Sequence, residues 1–376
     1  MTPLTHMAQG PRRRILVTGA AGYIGSALVR DLLELGHEVV AVDTMVFGER
    51  GLHAVANHPG LTVRRMDVRG LQREHLGGIH AIVDLAGIGD ARAAELDPAW
   101  THAVNHLARV RLAQLAPTAG VQRYILASSC CVYGNDNDNG RVNGSGVDTL
   151  APSADDSPLD ESSPTHPVGA YALANLKAEA AVLPLARPGF APTVLRLATC
   201  HGLAPRTRFD LIANAMAEQA LGERRITLPD AADTWHPLLQ IDDASQAIIA
   251  TLGAPLTSVA RQIFNVGAGN LRTAEIARTV QLVLGSHITI QAAPLQARTA
   301  SPPGRRIDFD KFTHLLGWRP QRELMQSVAS LVDALDAGRV DSGPATRTQR
   351  WYEQALSVTA HSPGGQHAAA ASHVPN

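Results

Sequence analysis

A glycine-rich turn between an apolar strand and a helix is the feature that most narrows what this chain can fold into. Residues 14–18 form a short apolar run, and residues 18–25 read TGAAGYIG. Apolar side chains then recur at helical spacing, at Ile24, Leu28, Leu32 and Leu35. Gly19, Gly22 and Gly25 permit a tight turn and close approach of the backbone to a ligand, and the first N–H groups of the helix attract an anion. The pattern predicts a turn that holds the pyrophosphate of a dinucleotide.

An acidic residue at the end of the next strand supports this interpretation. The apolar run Glu38–Asp43 ends in Asp43, where a carboxylate accepts hydrogen bonds from an adenosine ribose. Thr44 and Met45 follow, so no adjacent arginine is available for a 2′-phosphate, and NAD is favoured over NADP. A packing turn without a ligand is the alternative, but a strand before the glycines and a helix after them favour the cofactor.

Short apolar runs alternate with helical patterns along the first half of the chain. Further strands are predicted at 61–66, 79–85, 123–127 and 193–198, and helices at 100–116, 170–186 and 209–221. Such alternation indicates a parallel sheet covered on both faces. We expect a dinucleotide-binding domain over 13–200 and a smaller mixed α/β lobe over 201–340.

Three polar segments are expected to stand apart from these elements. Residues 1–12 and 357–376 are predicted to be a flexible start and a tail without structure. Residues 134–167 are rich in Gly, Asn, Asp, Ser and Pro, which leaves two interpretations open: an active-site flap or a flexible insertion.

The charge balance and cysteine content limit the partners and the compartment. Lys and Arg number 33 against 34 Asp and Glu, so no net field favours nucleic acid or an anionic membrane. No apolar stretch approaches the roughly 18 residues of a membrane helix. Three cysteines, two of them adjacent, suit neither a disulfide framework nor a metal site, and we expect a cytoplasmic protein without a metal.

Beyond the glycine turn, several segments resemble the extended short-chain dehydrogenase/reductase family, the NAD-dependent nucleotide-sugar epimerases and dehydratases. The matching segments are 66–68 (MDV), 84–87 (DLAG), 97–98 (DP), 104–105 (VN), 128–134 (SSCCVYG), 196–202 (RLATCHG), 206–210 with Asn214, 264–267 (FNVG) and 316–320 (LGWRP). The resemblance spans about residues 14–335 and implies a Rossmann-type doubly wound parallel sheet with a C-terminal substrate lobe, and a homodimer formed through the helices at 100–116 and 170–186.

The resemblance also implies a set of site residues. The cofactor-binding residues would be Gly19, Gly22, Tyr23, Ile24, Gly25, Asp43, Asp67, Val68, Leu85, Ala86, Gly87, Asn105, Tyr171 and Asn175. The substrate-binding residues would be Ser129, Thr199, Arg206, Asn214, His236, Arg305 and Arg306. Tyr171, Ser129 and Asn175 fall on the catalytic positions, with Tyr171 as acid/base and Ser129 orienting the substrate oxygen.

The chain departs from the family pattern one helical turn after Tyr171. A free phenol has a pKa of about 10 and needs a nearby cation to ionise at neutral pH. The family places a Lys there, whereas this chain has Asn175. Lys177 lies six residues on, about 240° around the helix, and is expected to point elsewhere unless a local irregularity of the helix turns it toward Tyr171. Asn175 can still bind a ribose hydroxyl or a water, but it brings no charge.

A second departure concerns the substrate. His236 occupies a position where the family usually has an Arg that contacts a nucleotide diphosphate. The predicted function is an NAD-dependent epimerase or dehydratase that acts on a nucleotide-diphosphate sugar through transient hydride transfer. The alternatives are a diverged member acting on a non-nucleotide metabolite, and an NAD-binding protein with little turnover.

Overall fold

Seven parallel strands form the central sheet of this computed structural model, which describes residues 11–134, 157–228, 234–293, 304–340 and 342–360. The strands are β1 (Arg14–Thr18), β2 (Glu38–Asp43), β3 (Leu61–Arg65), β4 (Ala81–Asp84), β5 (Arg123–Ser129), β6 (Ala191–Leu197), β7 (Thr199–His201), β8 (Arg225–Leu228), β9 (Trp235–Gln240), β10 (Ile263–Val266), β11 (Gly269–Arg272) and β12 (Thr289–Ala292). The sheet order is β10-β6-β5-β4-β1-β2-β3. The order reverses between β1 and β4, which is where ligands bind in such sheets.

Helices cover both faces of this sheet and build a lobe at its carboxyl edge. They are α1 (Tyr23–Glu34), α2 (Ala91–Leu96), α3 (Pro98–His102), α4 (Arg109–Leu115), α5 (Gly169–Val182), α6 (Ile212–Glu223), α7 (Ile241–Gly253), α8 (Leu256–Val259), α9 (Thr273–Leu284), α10 (Asp310–Leu316), α11 (Leu324–Asp336) and α12 (Thr348–Ala360). A π-helical segment, Ala103–Ala108, joins α3 to α4. Two apolar clusters, one on each face, bury the strands' mixed Val, Ile, Leu and Ala side chains.

The doubly wound parallel sheet predicted from the sequence is confirmed, and the predicted strands and helices are present with ends shifted by a few residues. The boundary expected at residue 200 is wrong in one respect. β10 pairs with β6, and α7 packs on α1, so residues 241–266 return to the central sheet. Apolar residues of this return segment, such as Ile248 and Phe264, are fully buried there, which is why the chain comes back to the sheet.

The lobe is built from α6, α9 and α11 around a third apolar cluster, with β8 paired to β12 and β9 between β7 and β11. Residues 357–360 belong to α12, so the expectation of a tail without structure is wrong for these four. The rest of that tail, residues 1–10 and residues 135–156 of the expected insertion lie outside the described residues.

A buried ion pair ties α5 to the central sheet. Arg196 on β6 and Glu179 on α5 approach to 2.7 Å, with side chains 4% and 2% exposed. The Ser128 hydroxyl donates to the same carboxylate, and Arg196 also contacts the Tyr133 hydroxyl at 2.7 Å. This network holds the helix that carries Tyr171 against the strand that ends in Ser129.

Removing one partner of this pair is expected to destabilise the fold, because it leaves a buried charge without compensation. We expect Glu179→Ala to lower the free energy of unfolding by about 3–5 kcal/mol, measured by urea denaturation. Glu223→Ala is the matched control, since its pair with Arg225 is about half exposed on both sides and should contribute less than about 1 kcal/mol. Equal losses in the two variants would contradict this account.

Candidate active site

A cleft of about 430 Å³ opens at the carboxyl ends of β1, β2, β4 and β5, where the strand order reverses. The predicted residues that line it are Gly19, Gly22, Tyr23, Ile24, Gly25, Asp43, Asp67, Val68, Leu85, Ala86, Gly87, Ser129, Tyr171, Thr199, Arg206 and His236. The glycine turn and the Ser129 and Tyr171 side chains therefore face the same space.

The glycine turn packs so closely that side chains are excluded from it. Gly19 has a φ of +66°, and a Cβ there would lie 2.8 Å from the Leu85 carbonyl oxygen. A Cβ at Gly25 would lie 2.0 Å from the carbonyl oxygen of Gly19. The N-cap of α1 is Gly22, which brings no side-chain cap, and the first turn holds no acidic residue. Free N–H groups and the helix dipole are thus left for an anion, as a dinucleotide pyrophosphate requires.

Asp43 is held at the edge of this turn by two backbone amides. Its Oδ2 accepts from the Ala21 N–H at 3.0 Å, and its Oδ1 accepts from the Met45 N–H at 2.8 Å. Burial raises the pKa of Asp43, and these amides together with the charge of Arg206 partly offset the effect. Asp67, farther along the cleft, is paired with Arg69 at 2.7 Å. These carboxylates and the glycine turn fit the ribose, adenine and pyrophosphate of NAD.

Tyr171 lies in the first turn of α5 and packs in an aromatic group at the cleft. Phe47, Trp100 and Trp351 pack against the same apolar cluster as Tyr171, a cluster that includes Ile88 and Tyr352. Ser129 ends β5, and its hydroxyl accepts from the Cys131 N–H at 3.2 Å. Both residues line the cleft, so it contains a phenol and an aliphatic hydroxyl.

Asn175, predicted to contact the cofactor, forms hydrogen bonds within the protein in this structure. It is 1% exposed and is not among the cleft-lining residues. Its Oδ1 accepts from Arg109 Nη1 at 2.8 Å, and its Nδ2 donates to the Tyr171 carbonyl at 3.1 Å. The amide is thus engaged within the protein, whereas Lys177 is exposed, as its position on the helix predicts.

Two further asparagines, predicted to contact ligands, act on the backbone instead. Asn105 accepts from the Ile88 N–H and donates to its carbonyl, which fixes the loop after β4. Asn214 accepts from the Gly202 N–H at 2.8 Å and donates to the Arg208 carbonyl at 2.9 Å. Both side chains are at most 1% exposed and neither is among the residues that line the cleft, so their direct contact with a ligand stays a prediction.

The far end of the cleft is formed by an aromatic ring with cations against it. The guanidinium of Arg272 lies 4.5 Å from the centroid of Trp235 and that of Arg306 lies 5.4 Å from it. His236 is buried, contacts the Thr273 hydroxyl at 2.9 Å, and has its pKa lowered by burial to about 4. His236 is therefore neutral at pH 7 and cannot supply the charge of an arginine. Arg305 and Arg306 do not border the cleft themselves.

Two buried arginines form its remaining wall. Arg208 is paired with Asp210 at 2.9 Å and with Asp90 at 3.3 Å. Arg206 stacks on Phe47 at 3.8 Å, and its Nε is buried without a hydrogen-bond partner among the described residues. The charge of Arg206 acts on Asp43, and its contact with the substrate stays a prediction.

The C-terminal helix contributes a cover that sequence reasoning missed. Thr348 and Tyr352 of α12 line the cleft, and Tyr352 packs edge-on against Phe47 and Trp100. Two adjacent aromatic residues, Trp351 and Tyr352, are unusual in a chain with only 4% aromatic residues, and this pair could have indicated a packed helix near the C-terminus. Arg109 and Trp235 were also missed as lining residues, because their positions depend on tertiary packing.

The described ranges contain neither a membrane-spanning helix nor a cluster of metal-ligating side chains. No helix there is both long and apolar enough to cross a bilayer. No group of three or more His, Cys, Asp or Glu residues in the same ranges is placed to hold a metal ion.

Comparisons with known proteins agree with this geometry. The model of the NAD dependent epimerase/dehydratase family matches residues 15–267. A UDP-glucose 4-epimerase of Mycolicibacterium smegmatis is 29% identical over 85% of this chain and 97% of its own length. One from Corynebacterium glutamicum is 26% identical over 84% of this chain and 93% of its own.

A solved structure with the same fold is that of UDP-glucuronic acid 4-epimerase from Bacillus cereus, determined with UDP-glucuronic acid and NAD. It superimposes with a TM-score of 0.72 at 20% identity and covers 86% of this chain and 99% of that one. The family match extends from β1 to the residue after β10, so it includes the glycine turn, Asp43, Ser129 and Tyr171. The chain belongs to the NAD-dependent epimerase/dehydratase family, and its cofactor is NAD.

Proposed function

We propose that this enzyme epimerises or dehydrates a nucleotide-diphosphate sugar through transient oxidation of a sugar carbon. The observation that carries the proposal is that the glycine turn and the Ser129–Tyr171 pair face one cleft. The relatives named UDP-glucose 4-epimerase support the same substrate class.

The residues of this chain have distinct tasks in such a reaction. NAD supplies reversible hydride acceptance when it is bound. Tyr171, as the phenolate, accepts the proton of the sugar hydroxyl and later returns it from the phenol, while the Ser129 hydroxyl donates to the same oxygen and orients it. The aromatic cover of Phe47, Trp100 and Tyr352 excludes water from this space.

The substrate diphosphate is proposed to lie near Trp235. Arg272 and Arg306 stack on this ring, and Arg305 is the neighbour of Arg306 in sequence. Guanidinium groups bind phosphate oxygens in a bidentate manner, so these cations take the place of the arginine that His236 replaces. Thr199 and Arg206 are proposed to contact the substrate from the opposite wall.

A neutral His236 favours one second candidate, a family member acting on a non-nucleotide metabolite. The two candidates differ in one measurable way, since a nucleoside diphosphate alone should compete with a nucleotide sugar but not with an uncharged metabolite. Inhibition by UDP or dTDP of whichever activity is found would support the first candidate, and its absence the second.

The test of the proposed function is turnover of a panel of UDP- and dTDP-sugars, followed by separation of the products, together with the Tyr171→Phe variant. Loss of the phenol should reduce kcat by about 10²-fold or more, because proton transfer then has no group at the sugar oxygen. NAD affinity, measured by fluorescence, should be retained. Unchanged turnover in Tyr171→Phe would exclude Tyr171 as the acid/base.

A homodimer is proposed to form through α3, α4 and α5, which lie side by side. Leu107 and Leu173 of this surface are large apolar residues with exposures of 53% and 43%.

A cytoplasmic location stays a prediction that rests on the cysteine usage of the sequence.

Introducing a charge on this surface is expected to separate the subunits. Leu107→Arg should give a monomer by light scattering, because burying an unpaired guanidinium costs several kcal/mol. Leu315→Arg on α10 is the matched control, since Leu315 is also 53% exposed and lies away from this surface. A dimer that persists in Leu107→Arg, or a chain that is already monomeric, would contradict the proposed interface.

A further inference from the structure

Arg109, at the start of α4, is buried at the wall of the cleft. Its side chain is held at four points, although the residue is only 4% exposed. Nε and Nη2 donate to the Ala86 carbonyl at 2.9 and 2.7 Å, and Nη1 donates to the Ala127 carbonyl at 3.2 Å and to Asn175 Oδ1 at 2.8 Å. This geometry fixes the plane of the guanidinium.

No carboxylate contacts the guanidinium of Arg109 directly among the described residues. Every partner that it has among the described residues is a carbonyl oxygen, two of them backbone and one the amide of Asn175. Burying a cation without a counter-ion costs free energy unless a negative group binds to it. Because Arg109 lines the cleft, the open direction for such a group is the cleft itself.

The guanidinium of Arg109 contacts Asn175, the residue at the position where the family has a lysine. Asn175 follows Tyr171 by one helical turn, about 40° around the axis, so the two share a face of α5. Arg109 Nη1 contacts the tip of Asn175, and Asn175 in turn contacts the Tyr171 carbonyl. A longer lysine side chain at position 175 would place its ammonium in the same region.

We propose that Arg109 is the cation of this active site, supplying from α4 the positive charge that α5 lacks, with Asn175 as the residue that positions it. The inference rests on the proposed role of Tyr171. The charge stabilises the phenolate of Tyr171, while the carbonyl contacts keep the guanidinium in place. Asn175 is then not a defect of the site but the hydrogen-bond acceptor that an arginine in this place requires.

Other charged groups face Tyr171, and they are balanced. Burial acts against the charge of Arg208, but Asp210 and Asp90 raise the pKa of Arg208 and Tyr171 adds to this effect. Asp90 and Asp210 compensate the charge of Arg208, which weakens its effect on the Tyr171 phenol. Glu95 of α2 is engaged by the Ala170 N–H at the start of α5. Asp84 accepts from Thr18 and Tyr124, and the Tyr124 hydroxyl also donates to the Arg109 carbonyl, so this buried carboxylate lies near Arg109.

The chain offers a direct optical measurement of Tyr171. It has five tyrosines, and burial raises the pKa of the other four: Tyr23, Tyr124, Tyr133 (to about 12) and Tyr352. The phenolate absorbance that develops first on raising the pH is therefore expected to report Tyr171, and the Tyr171→Phe variant should remove it.

The experiment is this absorbance titration on the full-length protein, with and without NAD, in variants of the Arg109–Asn175 pair. Arg109→Gln should move the first midpoint to higher pH by about one unit or more, because an opposite charge is lost near the phenol. Arg109→Lys should keep the midpoint low. Arg111→Gln, two residues on and exposed, is the matched control and should leave it unchanged.

Moving the charge between the helices is the sharper test. Asn175→Lys alone places two cations together and should lower the melting temperature. The double variant Arg109→Gln with Asn175→Lys should restore the low midpoint and the acid side of the pH–kcat profile. Asn175→Asp, which neutralises Arg109 without removing it, should raise the midpoint as Arg109→Gln does and serves if Arg109→Gln does not fold.

The outcomes separate the two proposals. A first midpoint that is the same in wild type, Arg109→Gln and Asn175→Asp would overturn the role of Arg109, even if Tyr171→Phe abolishes turnover. Full turnover in Tyr171→Phe would instead overturn the proposed function, and the titration would still show whether Arg109 acts on this phenol. Failure of the double variant to restore the midpoint would also contradict the proposal.

Discussion

The contact between the turn after β1 and the chain leaving β4 determines the geometry of the cleft. Gly19 approaches the Leu85 carbonyl so closely that no side chain fits between them. Thr18 stabilises the contact from below, since its hydroxyl donates to Asp84 at 2.6 Å and accepts from the Leu85 and Ala86 amides. The Ala86 carbonyl, positioned by this contact, is then the principal anchor of Arg109. The cofactor turn and the proposed cation are therefore parts of one hydrogen-bonded unit.

The central sheet and the cofactor turn could be predicted from the sequence because both depend on local rules. A buried parallel strand needs a run such as Glu38–Asp43, and the turn needs glycine at position 19 because its φ is positive. The return of β10 and α7 to the sheet was not predictable in the same way. Residues 241–266 have apolar patterns that suit either a lobe or the central sheet, and only packing against β6 and α1 distinguishes them.

Side-chain roles were less predictable than backbone positions. Asn105, Asn175 and Asn214 occupy the places that the family pattern assigns to ligand contacts, yet each amide bonds to the protein. Some of their partners come from segments distant in sequence: Arg109 is 66 residues from Asn175, and Asn214 reaches Tyr23 across 191 residues. An amide both donates and accepts, so its partner set, not its position in a motif, decides what it does. The cover formed by Tyr352 escaped prediction for a related reason, since its neighbours Phe47 and Trp100 lie in two other parts of the chain.

Placing the active-site cation on α4 instead of α5 changes how the charge is held. A lysine on the tyrosine's own helix is a flexible chain whose pKa shifts on burial, whereas a guanidinium stays charged at any pH of interest. Its fork also suits several acceptors at once, and Ala86, Ala127 and Asn175 provide them from three elements. The cation therefore depends on the relative positions of the β4 loop, β5 and α5. The Glu179–Arg196 pair fixes α5 against the sheet, so it also helps to hold this arrangement. The electrostatics of the proposed site thus depend on tertiary packing. The sequence motif around Tyr171 lacks a cation, because the proposed cation comes from another helix.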